Sequence, residues 1–277
     1  MDILEPCDHV KFFPKLDIPQ KVKEWKYDTD SDDIFYISSE DVNGNLVTQV
    51  DYRTISHILL TLYGNTGISE NEVLSEYLEE ATNSDIEHKE AIMSQVRNII
   101  YLYGELGKFP LSTQIRNLEQ DKCIILYRGF RNNTAKSMFN RLHSENRLGL
   151  GSCITIPMFM STSMIEETSL RFTGENYIMW KIIVPVKKRE IFRYTNISNV
   201  DYDITGDFDL QNSEAEILLN IGTILKCIGI KENIERSYRN PNADGSYSLR
   251  TIKFTLFVYE FVGYEKVAIE EYLKNLH

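Results

Sequence analysis

The stretch KCIILYRG, residues 122–129, is an unbroken apolar run that ends on an arginine and a glycine. A short apolar run bounded by charge reads as a buried strand. The same grammar continues downstream in ITIPMFMSTS (154–163), YIMWKIIVPV (177–186), EAEILL (214–219), TILKCIG (223–229) and TIKFTLFVYEFV (251–262). A short helix near 133–143 interrupts it, and YEKVAIEEYLKN at the C-terminus has a helical pattern. Upstream of 122 the period changes. Tyr52, Ile55, Leu59 and Leu62 fall on one helical face. SENEVLSEYLEEA (69–81) opens with Ser69 and carries acids in its first turn, as a helix start does. Ala91, Ile92, Val96, Ile99, Ile100 and Tyr103 form a further stripe, which Gly104, Gly107 and Pro110 end. Residues 1–47, with Pro6, Pro14, Pro19 and the acidic DTDSDD at 28–33, read as irregular. Helices first and strands after predict an α+β fold with a largely antiparallel sheet or sandwich. The organisation expected is an N-terminal extension or small subdomain over 1–47 and one domain over 48–277.

At 277 residues the chain can bury roughly 70–75% of the surface of its unfolded form, enough for a true core and a cleft. The formal net charge of −11 argues against a phosphate backbone as main partner. It leaves room for a nucleotide in a local basic pocket and favours a basic protein target. Cys7, Cys123, Cys153 and Cys227 lack CxxC spacing, and three lie in apolar runs, so reduced core residues are expected. His9, His57, His88, His143 and His277 have no metal-ligand spacing, and no metal is expected. GLG at 149–151 lacks the rest of a dinucleotide fingerprint. The opening MDILEPCDHVKFF lacks a signal-peptide pattern, and no stretch reaches the ~20 apolar residues of a membrane span. A soluble protein, acting in a cytoplasm and delivered there as an effector or toxin, is the expectation; its compartment stays open.

Three groups of polar residues interrupt the apolar strands. Arg128 ends the first and is followed by Gly129. Ser161, Thr162 and Ser163 end the second. Glu214 and Glu216 open EAEILL, and residues two apart on a strand share a face. Each group has an ordinary reading: a surface ion pair, a hydroxyl-rich strand end, a hydrated edge. Each also has a chemical one, since an arginine fork suits a pyrophosphate and paired carboxylates suit chemistry at a sugar.

Taken in order, Y-R-G, F-M-S-T-S and E-x-E-I-L-L resemble the R-S-E class of mono-ADP-ribosyltransferases, which includes binary-toxin enzymatic components, phage transferases and vertebrate arginine-specific enzymes. The resemblance runs from about residue 50 to 262. It implies N-terminal helices followed by a two-sheet, mostly antiparallel β core with an NAD cleft. NAD is then the substrate, and the acceptor is an exposed arginine of another protein. By the same resemblance Arg128 holds NAD phosphate or ribose oxygens, and the Gly129 backbone grips the nicotinamide amide. Ser161 fixes the rotamer of the catalytic Glu216. Glu216 binds the nicotinamide-side ribose and stabilises the cation there. Glu214 selects arginine, since relatives that modify other acceptors carry glutamine. The segment MIEETSLRFTGEN (164–176) matches a part of the family that folds over NAD, with Phe172 stacking on nicotinamide and Arg171 reaching a phosphate; read plainly, 166–173 is a surface helix anchored by Phe172. The acidic stretch 201–213, with Tyr202 and Phe208, corresponds to a target-recognising turn.

The residue types suit the chemistry. Cleavage at the nicotinamide ribose passes through an oxocarbenium-like state, as in glycoside cleavage. The leaving group is neutral, so the need is for negative charge beside the cation rather than for a strong acid. The acceptor guanidinium is normally protonated and needs a carboxylate to take its proton. Alternatives are an NAD glycohydrolase on the same scaffold, a catalytically silent binding module, and a two-carboxylate glycosidase.

Overall fold

A computed structural model describes residues 123–130, 148–156, 158–173, 178–188, 216–241 and 246–265, with short pieces at 38–40, 46–48, 191 and 194–196 and single positions at 59, 97, 99, 103 and 104. The chain divides into two compact units. One comprises Met1–Leu16 with Phe109–Glu265, the other Asp17–Lys108 with Lys266–His277.

In the second unit, Leu59 and Ile99, one from each of two apolar stripes, are helical and fully buried. Strands β1 (Ser38–Glu40) and β2 (Leu46–Thr48) pair antiparallel, Ser39 opposite Val47. This stretch was expected to be irregular. Asn43-Gly44 between the two runs is a hairpin signal that the acidic, proline-bearing surroundings obscure. The helices read over 69–81 and 133–143 and at the C-terminus lie outside the described residues.

The strand-rich unit contains β3 (Cys123–Gly129), β4 (Cys153–Ile156), β5 (Met160–Ser163), β6 (Ile178–Pro185), β7 (Tyr194–Asn196), β8 (Glu216–Leu219), β9 (Thr223–Pro241) and β10 (Tyr247–Tyr264). One ladder joins them in the order β4-β9-β10-β6-β3-β5-β8-β7. Among the described residues this is a single eight-stranded sheet rather than the two sheets expected. All its neighbours pair antiparallel except β10 and β6, which run parallel with Phe257 opposite Trp180. The core lies on its central strands: Ile124, Leu126, Trp180, Ile182, Val184, Ile217, Leu218 and Phe261 are fully buried.

Three departures from the sequence reading have simple causes. ITIPMFMSTS is two strands: β4 pairs with β9 at one edge, while β5 lies between β3 and β8. Pro157 stands between them and has no N–H to give a ladder. Second, β9 and β10 run far beyond the predicted 223–229 and 251–262, pairing as far as Tyr247 with Pro241. Their outer halves are mostly charged and polar, so no apolar run marks them. Third, β7 is a three-residue edge strand on β8, too short for a periodic signal. Between β8 and β9, Gly222 has φ of 80°, a conformation glycine adopts at no steric cost, and its N–H reaches the Ile156 carbonyl at 2.8 Å.

Segment 164–176 contains one helix, α1 (Glu166–Phe172). Glu166 and Glu167 in its first turn and Arg171 in its last complement the helix dipole. Its anchor is Leu170, 3% exposed and packed with Met179, Tyr238, Phe254 and Leu256, rather than Phe172, which is 41% exposed. Side-chain direction decides this, since Leu170 faces the sheet and Phe172 sits at the helix end.

Candidate active site

Sheet order brings together what the sequence spreads over nearly ninety positions. Arg128 is near the end of β3, Ser161 lies in β5, and Glu216 opens β8, on three adjacent strands. Ser163 lies opposite Glu216 and Ser161 opposite Leu218. Ser161 and Glu216 are therefore diagonal neighbours on one face, close enough for long side chains to meet. The Ser161 hydroxyl donates to Glu216 Oε1. The Arg128 guanidinium donates through Nη1 to the Ser161 carbonyl at 2.9 Å. One serine thus holds the carboxylate by its side chain and the arginine by its backbone. All three residues are half-buried, where charge-assisted hydrogen bonds are less screened than in bulk water.

The neighbouring hydroxyls serve the scaffold. Thr162 donates to the Ile217 carbonyl at 2.7 Å, stitching β5 to β8. Ser163 accepts from the Ile165 amide at 2.9 Å, just before α1.

Gly129 has a packing reason to be glycine. A Cβ there would lie 2.2 Å from the Ser169 carbonyl oxygen and 2.7 Å from both the amide nitrogen and the hydroxyl of Thr173. The C-terminal end of α1 rests directly on the β3 backbone, so only a residue without a side chain fits. Of the two further positions expected to touch a dinucleotide, Arg171 lies 3.8 Å from Glu167, and Phe172 is exposed at the helix end. Glu167 also accepts the Arg239 amide at 2.9 Å, and Glu166 lies 3.6 Å from Arg236, so α1 is tied to β9. Glu214 and the turn at 201–213 lie outside the described residues.

Cys123 and Cys227 are buried and free, as core cysteines should be. Cys153 is free but exposed, a correction that follows from its place on the edge strand β4. Burial raises the Cys227 thiol above its usual value, and burial with the adjacent Cys227 raises the Tyr259 phenol. Both stay protonated inside the sheet. Among the described residues no group of His, Cys, Asp or Glu could hold a metal, and no helix is long and apolar enough to cross a membrane. The sequence reading missed Phe130, two residues after Arg128 and 4% exposed, whose ring lies beneath the guanidinium. Its spacing of two from Arg128, at which an extended chain returns to the same side, was the available signal.

No protein-family model matches the chain. No relative was found among curated proteins. Similar solved structures include the enzymatic component C2-I of the Clostridium botulinum C2 toxin, 16% identical over 78% of this chain, TM-score 0.33. This chain spans 45% of that protein, less than half its length. Others are C3larvin toxin, an ADP-ribosyltransferase from Paenibacillus larvae (16% identical, 68% of this chain and 78% of that one, TM-score 0.31), and exoenzyme S from Pseudomonas aeruginosa, solved with carba-NAD and human 14-3-3 protein beta (14% identical, 79% of this chain and 84% of that one, TM-score 0.32).

Proposed function

We propose that the chain is a mono-ADP-ribosyltransferase that uses NAD as substrate and modifies an arginine of a target protein. The observation that carries this reading is the Arg128–Ser161–Glu216 contact. It sets a fixed cation beside a carboxylate whose rotamer a serine holds. That pair suits a ligand with an anionic part and a sugar at which positive charge develops. Arg128 binds the phosphate or ribose oxygens of NAD. Glu216 lies against the nicotinamide-side ribose. As the bond from the ribose carbon to nicotinamide breaks, nicotinamide leaves with the electron pair as a neutral molecule, and Glu216 stabilises the cation left behind. Ser161 keeps the carboxylate from rotating away, so little reorganisation accompanies the step. Glu214, two residues before Glu216, takes a proton from the acceptor guanidinium so that its nitrogen can form the new bond. Phe172 and Arg171 contribute to dinucleotide binding, with Arg171 exchanging Glu167 for a phosphate. Gly129 keeps that helix end close to Arg128, and its carbonyl and amide are the groups that meet the nicotinamide amide.

Labelled NAD incubated with the chain and agmatine tests the proposal. Label on agmatine, lost in Glu216→Gln, is the expected result. Absence of NAD binding and of NAD consumption refutes it. Release of free ADP-ribose with no labelled agmatine or protein would favour the glycohydrolase.

A further inference from the structure

Arg128 has an aromatic support that its assigned role does not explain. Its guanidinium carbon lies 5.9 Å from the centroid of the Phe130 ring. Phe130 meets Trp180 edge-on, centroids 4.8 Å apart, and Trp180 meets Tyr259 at 4.7 Å. Trp180 is also the cross-strand partner of Arg128, so the two share a face, and Phe130 follows the last residue of β3. Phe130 is 4% exposed and Trp180 fully buried, so the two rings are packed in place. The guanidinium lies over one of them and donates to the Ser161 carbonyl. An arginine side chain has many rotamers, and an unsupported one would lose that freedom on binding an anion. Here the ring below and the carbonyl beside it restrict the fork before any ligand arrives.

We propose that Phe130 is a positioning residue: it acts through Arg128, holding the guanidinium ready for the phosphates of a dinucleotide, with Trp180 fixing its ring. This rests on the proposed function. The effect falls on dinucleotide binding rather than on the bond-breaking step, because the ring lies under Arg128, the residue assigned to the phosphates. Removing the ring while keeping an apolar side chain therefore weakens binding of NAD and leaves turnover at saturation nearly unchanged.

The experiment compares NAD hydrolysis without acceptor in the unaltered chain, Phe130→Leu, Phe130→Tyr and Phe261→Leu, with a thermal midpoint for each. Phe261 is fully buried in the same sheet and meets Tyr264 at 5.3 Å, four residues along β10 from the position opposite Trp180, so its variant reports packing away from that stack. Expected for Phe130→Leu is a rise in KM for NAD of about two- to thirty-fold, the span of a cation–π contact, with kcat within about two-fold. Phe130→Tyr keeps the ring and restores KM, while Phe261→Leu lowers the midpoint and leaves KM alone. An unchanged KM in Phe130→Leu, or an equal rise in Phe261→Leu, overturns the inference and leaves the proposed function standing. An unaltered chain that neither binds nor consumes NAD overturns both.

Discussion

Replacing Gly129 with alanine tests the close approach of α1 to the β3 backbone. The added Cβ would approach the Ser169 carbonyl oxygen to 2.2 Å and the Thr173 amide to 2.7 Å. Carbon and oxygen ordinarily meet no closer than about 3.3 Å, so α1 or β3 must yield by roughly 1 Å. Both obstacles are backbone, and no rotamer change relieves them. The atoms struck also end the helix: Thr173 N–H bonds the Leu170 carbonyl at 3.1 Å, and its hydroxyl bonds the Ser169 carbonyl at 2.9 Å. Overpacking of this kind costs about 1–3 kcal/mol, and a weakened hydrogen bond adds ~1 kcal/mol. The sum, about 2–4 kcal/mol, lowers the thermal midpoint by on the order of 5–15 °C in a chain of this size. Circular dichroism melts of Gly129→Ala and Gly104→Ala make the comparison. A Cβ at the helical Gly104 meets nothing within 4 Å, and alanine there should be neutral or stabilising. Gly129→Ala melting within a degree of the unaltered chain would refute the close approach.

Other expectations concern the site and the core. Glu216→Gln abolishes both transfer and NAD hydrolysis, whereas Glu214→Gln abolishes transfer to agmatine and spares much of the hydrolysis; both are read from nicotinamide release and label incorporation. Ser161→Ala frees the Glu216 rotamer and lowers kcat by about 10- to 100-fold, given the hydrogen bond it removes, with a near-normal melt; full activity would dismiss the contact. Leu170→Ala empties the anchor of α1 and costs about 2–5 kcal/mol in urea unfolding. Tyr259 has a buried hydroxyl without a hydrogen-bond partner among the described residues, so Tyr259→Phe should keep or raise stability. The raised Tyr259 and Cys227 values set a sign for pH. Folded, both groups hold their protons above the ordinary thiol and phenol values of 9.0 and 10.0. Their contribution is complete below those values and is lost as pH rises through them, because the unfolded chain releases the protons first. Midpoints measured from pH 8 to 11 should fall, and fall less steeply in Tyr259→Phe.

Sequence alone determined which segments are strands and which residues are out of place in them. KCIILYR, YIMWKIIVPV and EAEILL are apolar runs whose length and composition leave little else, and β3, β6 and β8 lie within a residue or two of those bounds. Arg128, Ser161 and Glu216 were visible because polar groups in such runs need a reason. The polar halves of β9 and β10 were not visible, because apart from the few residues that pack with α1, such as Tyr238 and Phe254, their positions are mostly exposed and carry no apolar period. Nor was the split of 154–163 into strands at different places in the sheet. Strand order depends on contacts between residues far apart in sequence, which no local period encodes. Tertiary structure alone decided that Ser161 sits between Arg128 and Glu216, that Phe130 lies under the arginine, that Leu170 and not Phe172 anchors α1, and that Gly129 is glycine because a helix end occupies the space of its side chain. Local propensity chooses the elements, but only packing in three dimensions brings a carbonyl, a ring and a carboxylate from separate strands within reach of one another.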